Sequence, residues 1–121
     1  MAIKVLVIDD SQVQQKIMAK FFEEEPRFSC SFASDGKEGL EKANETSYSF
    51  IVTDMEMPGW SGLETIEKIR QISKEGIKPY LMAYSSDSSF KEKCEKAKIP
   101  FLEKPISKAQ LFEAMNKYLS H

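Results

Sequence analysis

The chain has 121 residues, of which 41% are hydrophobic and 30% charged, a composition that favours one globular domain with a sizeable core. Seventeen Lys and Arg against nineteen Asp and Glu give a net charge of −2, so no overall positive charge attracts nucleic acid or an anionic membrane. Two cysteines without a paired spacing and one histidine, His121, argue against a disulfide scaffold and a zinc site. No apolar run approaches the roughly 20 residues of a membrane span and no signal peptide is recognisable, so a cytoplasmic protein is expected.

Short apolar runs recur along the chain with the length and composition of β-strands. They cover residues 3–9, 28–34, 49–54, 79–84 and 99–104.

Segments with helical spacing follow each of these runs. Apolar residues that return every three or four positions predict amphipathic helices around Val13, Ile17 and Phe21 and around Leu63, Ile66 and Ile69. Asp35 is the expected N-cap of a further helix. The last two helices are predicted over residues 86–97 and 107–120, the second with Leu111, Met115 and either Tyr118 or Leu119 facing inward.

Strands and helices that alternate five times predict an α/β fold with a parallel sheet covered by helices on both faces. In such a sheet, ligands bind at the carboxyl ends of the strands, where the strand order reverses. The residues at the ends of strands one, three, four and five are Asp9 and Asp10, Asp54, the Tyr-Ser-Ser of 84–86, and Lys104.

Adjacent carboxylates such as Asp9 and Asp10 repel each other at the end of a buried strand, so something must offset their charge. A hard divalent cation does so, and Mg²⁺ prefers carboxylate, water and phosphate oxygens. Asp54 beside this cation and beside Lys104 could attack phosphorus, because both positive charges would neutralise the transferring phosphoryl group. The sequence therefore predicts a magnesium site and an aspartyl phosphate at Asp54.

Four strings in the chain, VLVIDDS, FASDGKEGL, IVTDMEMPGWSGLE and FLEKPIS, resemble a response-regulator receiver domain of two-component signalling. Their order and spacing suit that family, since 45 residues separate Asp9 from Asp54 and 50 separate Asp54 from Lys104. The resemblance covers essentially residues 1–121 as one domain, similar to single-domain chemotaxis regulators. It implies a flavodoxin-like, doubly wound sheet of five parallel strands in the order 2-1-3-4-5, flanked by five helices.

Carried over to this chain, the resemblance implies that Asp54 is the phosphoacceptor. It implies that Asp9, Asp10, Asp54 and the backbone carbonyl of Glu56 bind Mg²⁺, and that Lys104 contacts the phosphoryl group.

The resemblance also implies a cis peptide before Pro105 and an aromatic switch residue at Phe101, for which a plain buried phenylalanine is the alternative.

The switch hydroxyl is ambiguous. The number of residues after Pro79 favours Tyr84 as the switch position. The family's local pattern of two apolar residues, a hydroxyl and a small residue favours Ser85, whose small hydroxyl suits a phosphoryl group better than a phenol does. We predict Ser85. The segment from Ser85 to Lys104 is shorter than is usual in the family, so an abbreviated fourth helix or loop is expected.

The implied function is Mg²⁺-dependent transfer of a phosphoryl group from a phosphohistidine to Asp54, which switches a protein-interaction face. Such a chain catalyses only its own phosphorylation and dephosphorylation and is not an enzyme for another substrate. The donor is expected to be a sensor histidine kinase or histidine phosphotransfer protein, because His121 at the chain end is no phosphodonor. The output is expected to be a target protein, with neither nucleic acid nor membrane as a partner.

Three alternatives explain less of the sequence. A phosphohydrolase of the haloacid dehalogenase type would carry its nucleophile on the first strand of a longer chain. A flavodoxin-like cofactor binder would need hydroxyl and glycine residues after strand one, where this chain has DDSQVQQ. A receiver-fold interaction module that does not depend on phosphorylation would not need the acids together with Lys104.

Overall fold

The computed structural model describes residues 2–73 and 79–119, in which five strands alternate with five helices. The strands are β1 (Ile3–Ile8), β2 (Phe28–Ala33), β3 (Phe50–Asp54), β4 (Tyr80–Ser85) and β5 (Phe101–Glu103). The helices are α1 (Gln12–Glu23), α2 (Gly36–Glu45), α3 (Gly62–Ile72), α4 (Phe90–Lys96) and α5 (Lys108–Leu119). None of the helices within these residues is long and apolar enough to cross a membrane.

The strands form one parallel sheet in the order β2-β1-β3-β4-β5, which confirms the predicted fold class. The chain runs outward from β1 to β2, then returns past β1 to place β3 on its other side. The order therefore reverses between β1 and β3, and a crevice is expected at their carboxyl ends. The residues that follow these two central strands must lie side by side.

Two hydrophobic clusters lie on opposite faces of the sheet, because successive strand residues point to opposite sides. The first cluster joins strand residues such as Val5, Val7 and Val52 to α1 and α5. The second joins Leu6, Ile8 and Ile51 to α3 and α4. From Val5 to Ile8 both faces of β1 are thus buried, so this strand is a rigid support for the acids at its end.

Helix α1 is confirmed, but two of the three apolar residues that predicted it do not face the sheet, whereas the third, Phe21, is half-buried and packs against the first cluster. Val13 is 70% exposed and Ile17 is 41% exposed, whereas Met18 and Phe22 are buried. Met18 follows Ile17 by one position, or about 100° around the helix. The ring of Phe22 packs edge-on against Phe112 of α5 with 5.2 Å between ring centroids. The fully buried residues are those on the side that meets α5, whereas Val13 and Ile17 face solvent.

Helix α4 spans seven residues and begins at Phe90, later than the predicted start at Ser86. The segment before it is a turn, in which the amide of Ser89 donates to a carboxylate oxygen of Asp87 at 2.9 Å. Ser and Asp side chains that bond to nearby backbone favour turns over helix. The turn takes the place of the first part of the predicted helix. The abbreviation relative to the family stays a prediction.

Helix α5 buries Leu111 and Met115 as predicted. Neither residue expected to continue this stripe is buried, since Tyr118 is 41% and Leu119 is 42% exposed. The Tyr118 ring nevertheless stacks on Tyr80 with 4.3 Å between ring centroids. Ser120, predicted as the last residue of the helix, and His121 lie outside the described residues.

Candidate functional site

Asp9, Asp10 and Asp54 form a group of carboxylates at the carboxyl edge of the sheet, called here the acid cluster. Each offers an oxygen within 4.8 Å of the others. The pairing of Ile8 with Thr53 explains this proximity, since the next residues of β1 and β3 emerge side by side. Asp9 and Asp54 are buried and Asp10 is exposed, so the cluster is open to solvent on one side.

Asp54 is 5% exposed and is held at both carboxylate oxygens. The amide of Glu56 donates to Oδ1 at 3.2 Å, and the ammonium of Lys104 donates to Oδ2 at 3.3 Å. Burial raises the pKa of the Asp54 carboxyl most strongly, the Glu56 amide and Lys104 lower it, and the charge of Asp9 raises it, with a net rise. The site thus holds an oriented carboxylate that is short of compensating positive charge.

Lys104 supplies a positive charge to two acids at once. Its Nζ lies 3.3 Å from Oδ2 of Asp54 and 3.8 Å from Oδ2 of Asp9. Its backbone amide donates to the carbonyl of Ser85 at 2.8 Å, which extends the β4–β5 pairing to the site. The peptide between Lys104 and Pro105 is cis, as the resemblance implied.

Asp9 is completely buried, and each of its carboxylate oxygens accepts a hydrogen bond. The amide of Ser11 donates to Oδ1 at 2.8 Å, and the hydroxyl of Tyr84 donates to Oδ2. Burial, followed by the neighbouring charge of Asp9, raises the pKa of the Tyr84 phenol. The phenol therefore stays protonated and acts as a donor.

Tyr84 and Ser85 point in different directions, as neighbouring residues of a strand do. Tyr84 pairs with Asp54 in the β3–β4 register, and its hydroxyl reaches the acid cluster. The hydroxyl of Ser85 is buried and accepts a hydrogen bond from the amide of Asp87 at 3.0 Å. In this conformation Tyr84, and not Ser85, contacts the acids. The signalling role predicted for Ser85 stays a prediction.

Two further residues, Phe101 and Glu56, were predicted to belong to the site. Phe101 begins β5, is half-buried and packs against the second hydrophobic cluster. Glu56 follows β3, and its amide already holds Asp54. A switching role for Phe101 and metal ligation by the Glu56 carbonyl both stay predictions.

Sequence reasoning missed three residues that shape the site. The side-chain amide of Gln15 donates to the backbone carbonyl of Asp9 at 2.6 Å, and the Ser11 amide holds its carboxylate. Gly62 lies so close to β3 that a Cβ there would be 2.4 Å from the carbonyl oxygen of Asp54. Gly62 was within the string that carried the resemblance, but its closeness to Asp54 is a tertiary contact.

The acid cluster fits Mg²⁺ by its chemistry. It offers hard carboxylate oxygens from three residues, with the open side at Asp10 available for water and phosphate oxygens. Lys104 is one positive charge against three negative ones. Burial, with the charge of Asp9 as a smaller contribution, raises the pKa of Asp54 in spite of Lys104. A divalent cation would supply the charge that the protein leaves uncompensated.

Known proteins resemble this chain in sequence. The model of the response regulator receiver domain family matches residues 5–116. The osmosensing histidine protein kinase SLN1 of Saccharomyces cerevisiae is 28% identical over 123 residues, covering 97% of this chain and 10% of that protein. Hybrid signal transduction histidine kinase L of Dictyostelium discoideum is 32% identical over 125 residues, covering 95% of this chain and 7% of that protein. The chain thus spans a small part of these curated relatives.

Solved structures share the fold. The receiver domain of a sensor histidine kinase from Pseudomonas aeruginosa, crystallised with magnesium coordinated in its active site cleft, matches with a TM-score of 0.88 at 19% identity, covering both chains fully. The chemotaxis protein CheY4 of Vibrio cholerae matches with a TM-score of 0.84 at 24% identity, covering 97% of this chain and 98% of that one. With the family model matched from residue 5 to residue 116, this chain belongs to the response regulator receiver domains.

Proposed function

We propose that residues 1–121 form one receiver domain in which Asp54 accepts a phosphoryl group from a phosphohistidine, with Mg²⁺ as cofactor. One observation carries this proposal. The carboxylate of Asp54 lies 3.3 Å from the ammonium of Lys104 and within 4.8 Å of the carboxylates of Asp9 and Asp10. A nucleophile between a fixed cation and metal-binding acids is the arrangement that phosphoryl transfer requires.

In the proposed reaction an oxygen of Asp54 attacks phosphorus in line with the donor nitrogen. The new P–O bond forms as the P–N bond breaks, and the leaving imidazole keeps the bonding electron pair together with a proton. Asp9, Asp10, Asp54 and the Glu56 carbonyl would hold Mg²⁺, which when bound neutralises negative charge on the phosphoryl oxygens. Lys104 would do the same from its own side, and the Glu56 amide keeps the Asp54 carboxylate oriented.

For the output, the proposal assigns the sensing hydroxyl to Ser85 and the turning aromatic side chain to Phe101. The Oγ of Ser85 accepts a hydrogen bond from the Asp87 amide, which leaves its proton for donation to a phosphoryl oxygen. Phe101 pairs with Ala83, two residues before Ser85, so a shift at the end of β4 would reach it through the β4–β5 pairing. The affected face is made by α4, β5 and α5.

The proposed donor is a sensor histidine kinase or a histidine phosphotransfer protein, and the proposed output is a target protein. Relatives of this chain are named histidine kinases, which supports the first part. The exposed side chains of Val13 and Ile17 lie on α1, which begins two residues after Asp10. An apolar stripe beside the acids suits a protein that brings a phosphohistidine to Asp54.

The test is phosphorylation by acetyl phosphate in the presence of Mg²⁺, followed by intact-mass measurement. One phosphoryl group should add to the protein, survive acid and be lost in base, as expected of an acyl phosphate. Asp54→Asn should abolish the addition, and EDTA should abolish it in the unaltered protein. Asp87→Asn, which alters an exposed acid outside the cluster, should still be labelled. Equal labelling of Asp54→Asn would overturn the assignment.

A further inference from the structure

The side chain of Tyr84 is buried beneath the acid cluster. Its ring has 0% exposure and belongs to the hydrophobic cluster that joins the sheet to α1 and α5. The ammonium of Lys104 lies 4.8 Å from the centre of this ring. Tyr84 therefore touches the core with its ring and the functional site with its hydroxyl.

The hydroxyl of Tyr84 is the donor to Oδ2 of Asp9, and this bond is buried. The other oxygen of Asp9 accepts from the Ser11 amide, and Lys104 is 3.8 Å from Oδ2. Packing alone would be satisfied by phenylalanine at this position. A buried phenol needs a polar partner, and here the partner is one of the three acids of the cluster.

We propose that Tyr84 is a positioning residue that controls the availability of Asp9 to the cation. The inference rests on the proposed function, because it takes Mg²⁺ to be the ligand of the acid cluster. A hydrogen bond to Oδ2 withdraws electron density from that oxygen and fixes the plane of the carboxylate. The phenol proton and the cation thus compete for the same negative charge, and binding of Mg²⁺ weakens or breaks the bond from Tyr84.

Competition of this kind connects the site to the core. A ring released from Asp9 lies among side chains that α1 and α5 share with the sheet. Binding of Mg²⁺ to the acid cluster thereby changes the packing on the α5 side of the sheet before any phosphoryl group is added. This route differs from the one proposed for Ser85 and Phe101, which runs through the β4–β5 pairing.

The test compares the Mg²⁺ affinities of the unaltered protein and Tyr84→Phe by calorimetric titration with magnesium chloride, without a phosphodonor. Tyr84→Phe should bind Mg²⁺ about 3- to 10-fold more tightly, the range expected from loss of one competing hydrogen bond. Tyr80→Phe is the matched control, because it removes a hydroxyl from the same strand where the ring stacks on Tyr118 instead of contacting acids. Its Mg²⁺ affinity should change less than twofold.

A second readout does not need the variant to fold. In protein carrying ¹³C-labelled tyrosine, saturation with Mg²⁺ should shift the ring signals of Tyr84 well beyond those of Tyr80. Equal or weaker Mg²⁺ binding by folded Tyr84→Phe, or unmoved Tyr84 signals at saturation, would overturn the proposal. Labelling of Asp54 by acetyl phosphate, measured in parallel, separates two failures. If the protein is labelled but Tyr84→Phe has an unchanged Mg²⁺ affinity, only this inference is rejected. If the protein neither binds Mg²⁺ nor is labelled, the proposed function is rejected as well.

Discussion

The ammonium of Lys104 lies 3.3 Å from Oδ2 of Asp54, and the side chain of Lys104 is only 21% exposed. Together with Asp9, which is fully buried, these residues form a charge arrangement in which one cation faces several acids. The charge of Lys104 should therefore matter for folding as well as for phosphoryl transfer.

Lys104→Met, which keeps the apolar stem and removes the charge, should lower the free energy of unfolding by about 1–3 kcal/mol without Mg²⁺ because buried carboxylates lose their partner. Lys108→Met, which breaks an exposed ion pair with Glu24, should cost no more than about 1 kcal/mol. Urea denaturation with and without Mg²⁺ measures both. Mg²⁺ should stabilise Lys104→Met more than the unaltered protein, and an equal effect would show that the cation and Lys104 do not share the same acids.

Asp54→Asn should stabilise the protein at neutral pH. Burial raises the pKa of the Asp54 carboxyl above its ordinary 3.8, so its ionisation opposes folding as pH rises from that value through the raised pKa. Hydrogen bonds from Ser89 lower the pKa of Asp87, so its ionised form favours folding, and this contribution is lost as the pH falls.

The two variants should therefore change the stability of the protein in opposite directions. At about pH 7, Asp54→Asn should raise the melting temperature by several degrees, whereas Asp87→Asn should lower it slightly. The gain from Asp54→Asn should shrink as the pH falls through the raised pKa of Asp54 towards its ordinary 3.8, because the carboxyl is then protonated in the folded protein as well. A gain that is independent of pH would indicate that packing, and not ionisation, is the cause.

Ser85→Ala and Tyr84→Phe distinguish the two hydroxyls at the end of β4. If Ser85 senses the phosphoryl group, Ser85→Ala should still be modified by beryllofluoride, but backbone NMR shifts around Phe101 should be strongly reduced. A charge-assisted hydrogen bond of roughly 1.5–3 kcal/mol is enough to change a two-state population tenfold or more. Undiminished shifts in Ser85→Ala with lost shifts in Tyr84→Phe would move the sensing role to Tyr84.

Gly62→Ala should damage the site through the backbone. Its new Cβ would lie 2.4 Å from the Asp54 carbonyl oxygen and 2.8 Å from Cα of Met55, so β3 or α3 must shift, at a cost of about 1–3 kcal/mol. Gly59→Ala has open space around its Cβ, but its φ of +81° makes the substitution strained by roughly 1–2 kcal/mol. Both variants should be less stable, yet only Gly62→Ala should slow labelling by acetyl phosphate. Normal labelling of folded Gly62→Ala would show that Asp54 tolerates the shift.

The two cysteines should be unreactive in the folded protein. Burial raises the pKa of the Cys30 thiol to about 12 and also raises that of Cys94. Iodoacetamide at about pH 8 should therefore modify both thiols far more slowly than in urea, because the thiolate is the nucleophile. Any stability that Cys30 contributes is complete below its ordinary pKa of 9.0 and is lost as pH rises towards 12. Rapid modification of Cys30 in folded protein would contradict its raised pKa.

Local pattern in the sequence determined the elements and the chemistry of this protein. Short apolar runs end in Asp9, Asp54 and Lys104. Because the carboxyl ends of parallel strands lie at one edge of the sheet, the sequence predicted that these three residues lie close together, as they do. The resemblance then supplied the strand order, which the structure confirms.

Tertiary structure alone decided which way several side chains point. Helical spacing showed that α1 is amphipathic, but contact with α5 selected Met18 and Phe22 over Val13 and Ile17 for the core. The sequence likewise offered two adjacent hydroxyls at the end of β4. The pairing of Tyr84 with Asp54 brings the phenol to Asp9, because a shift of one residue in a strand exchanges its faces. Register and helix rotation depend on contacts between residues far apart in the chain, and local periodicity carries no information about them.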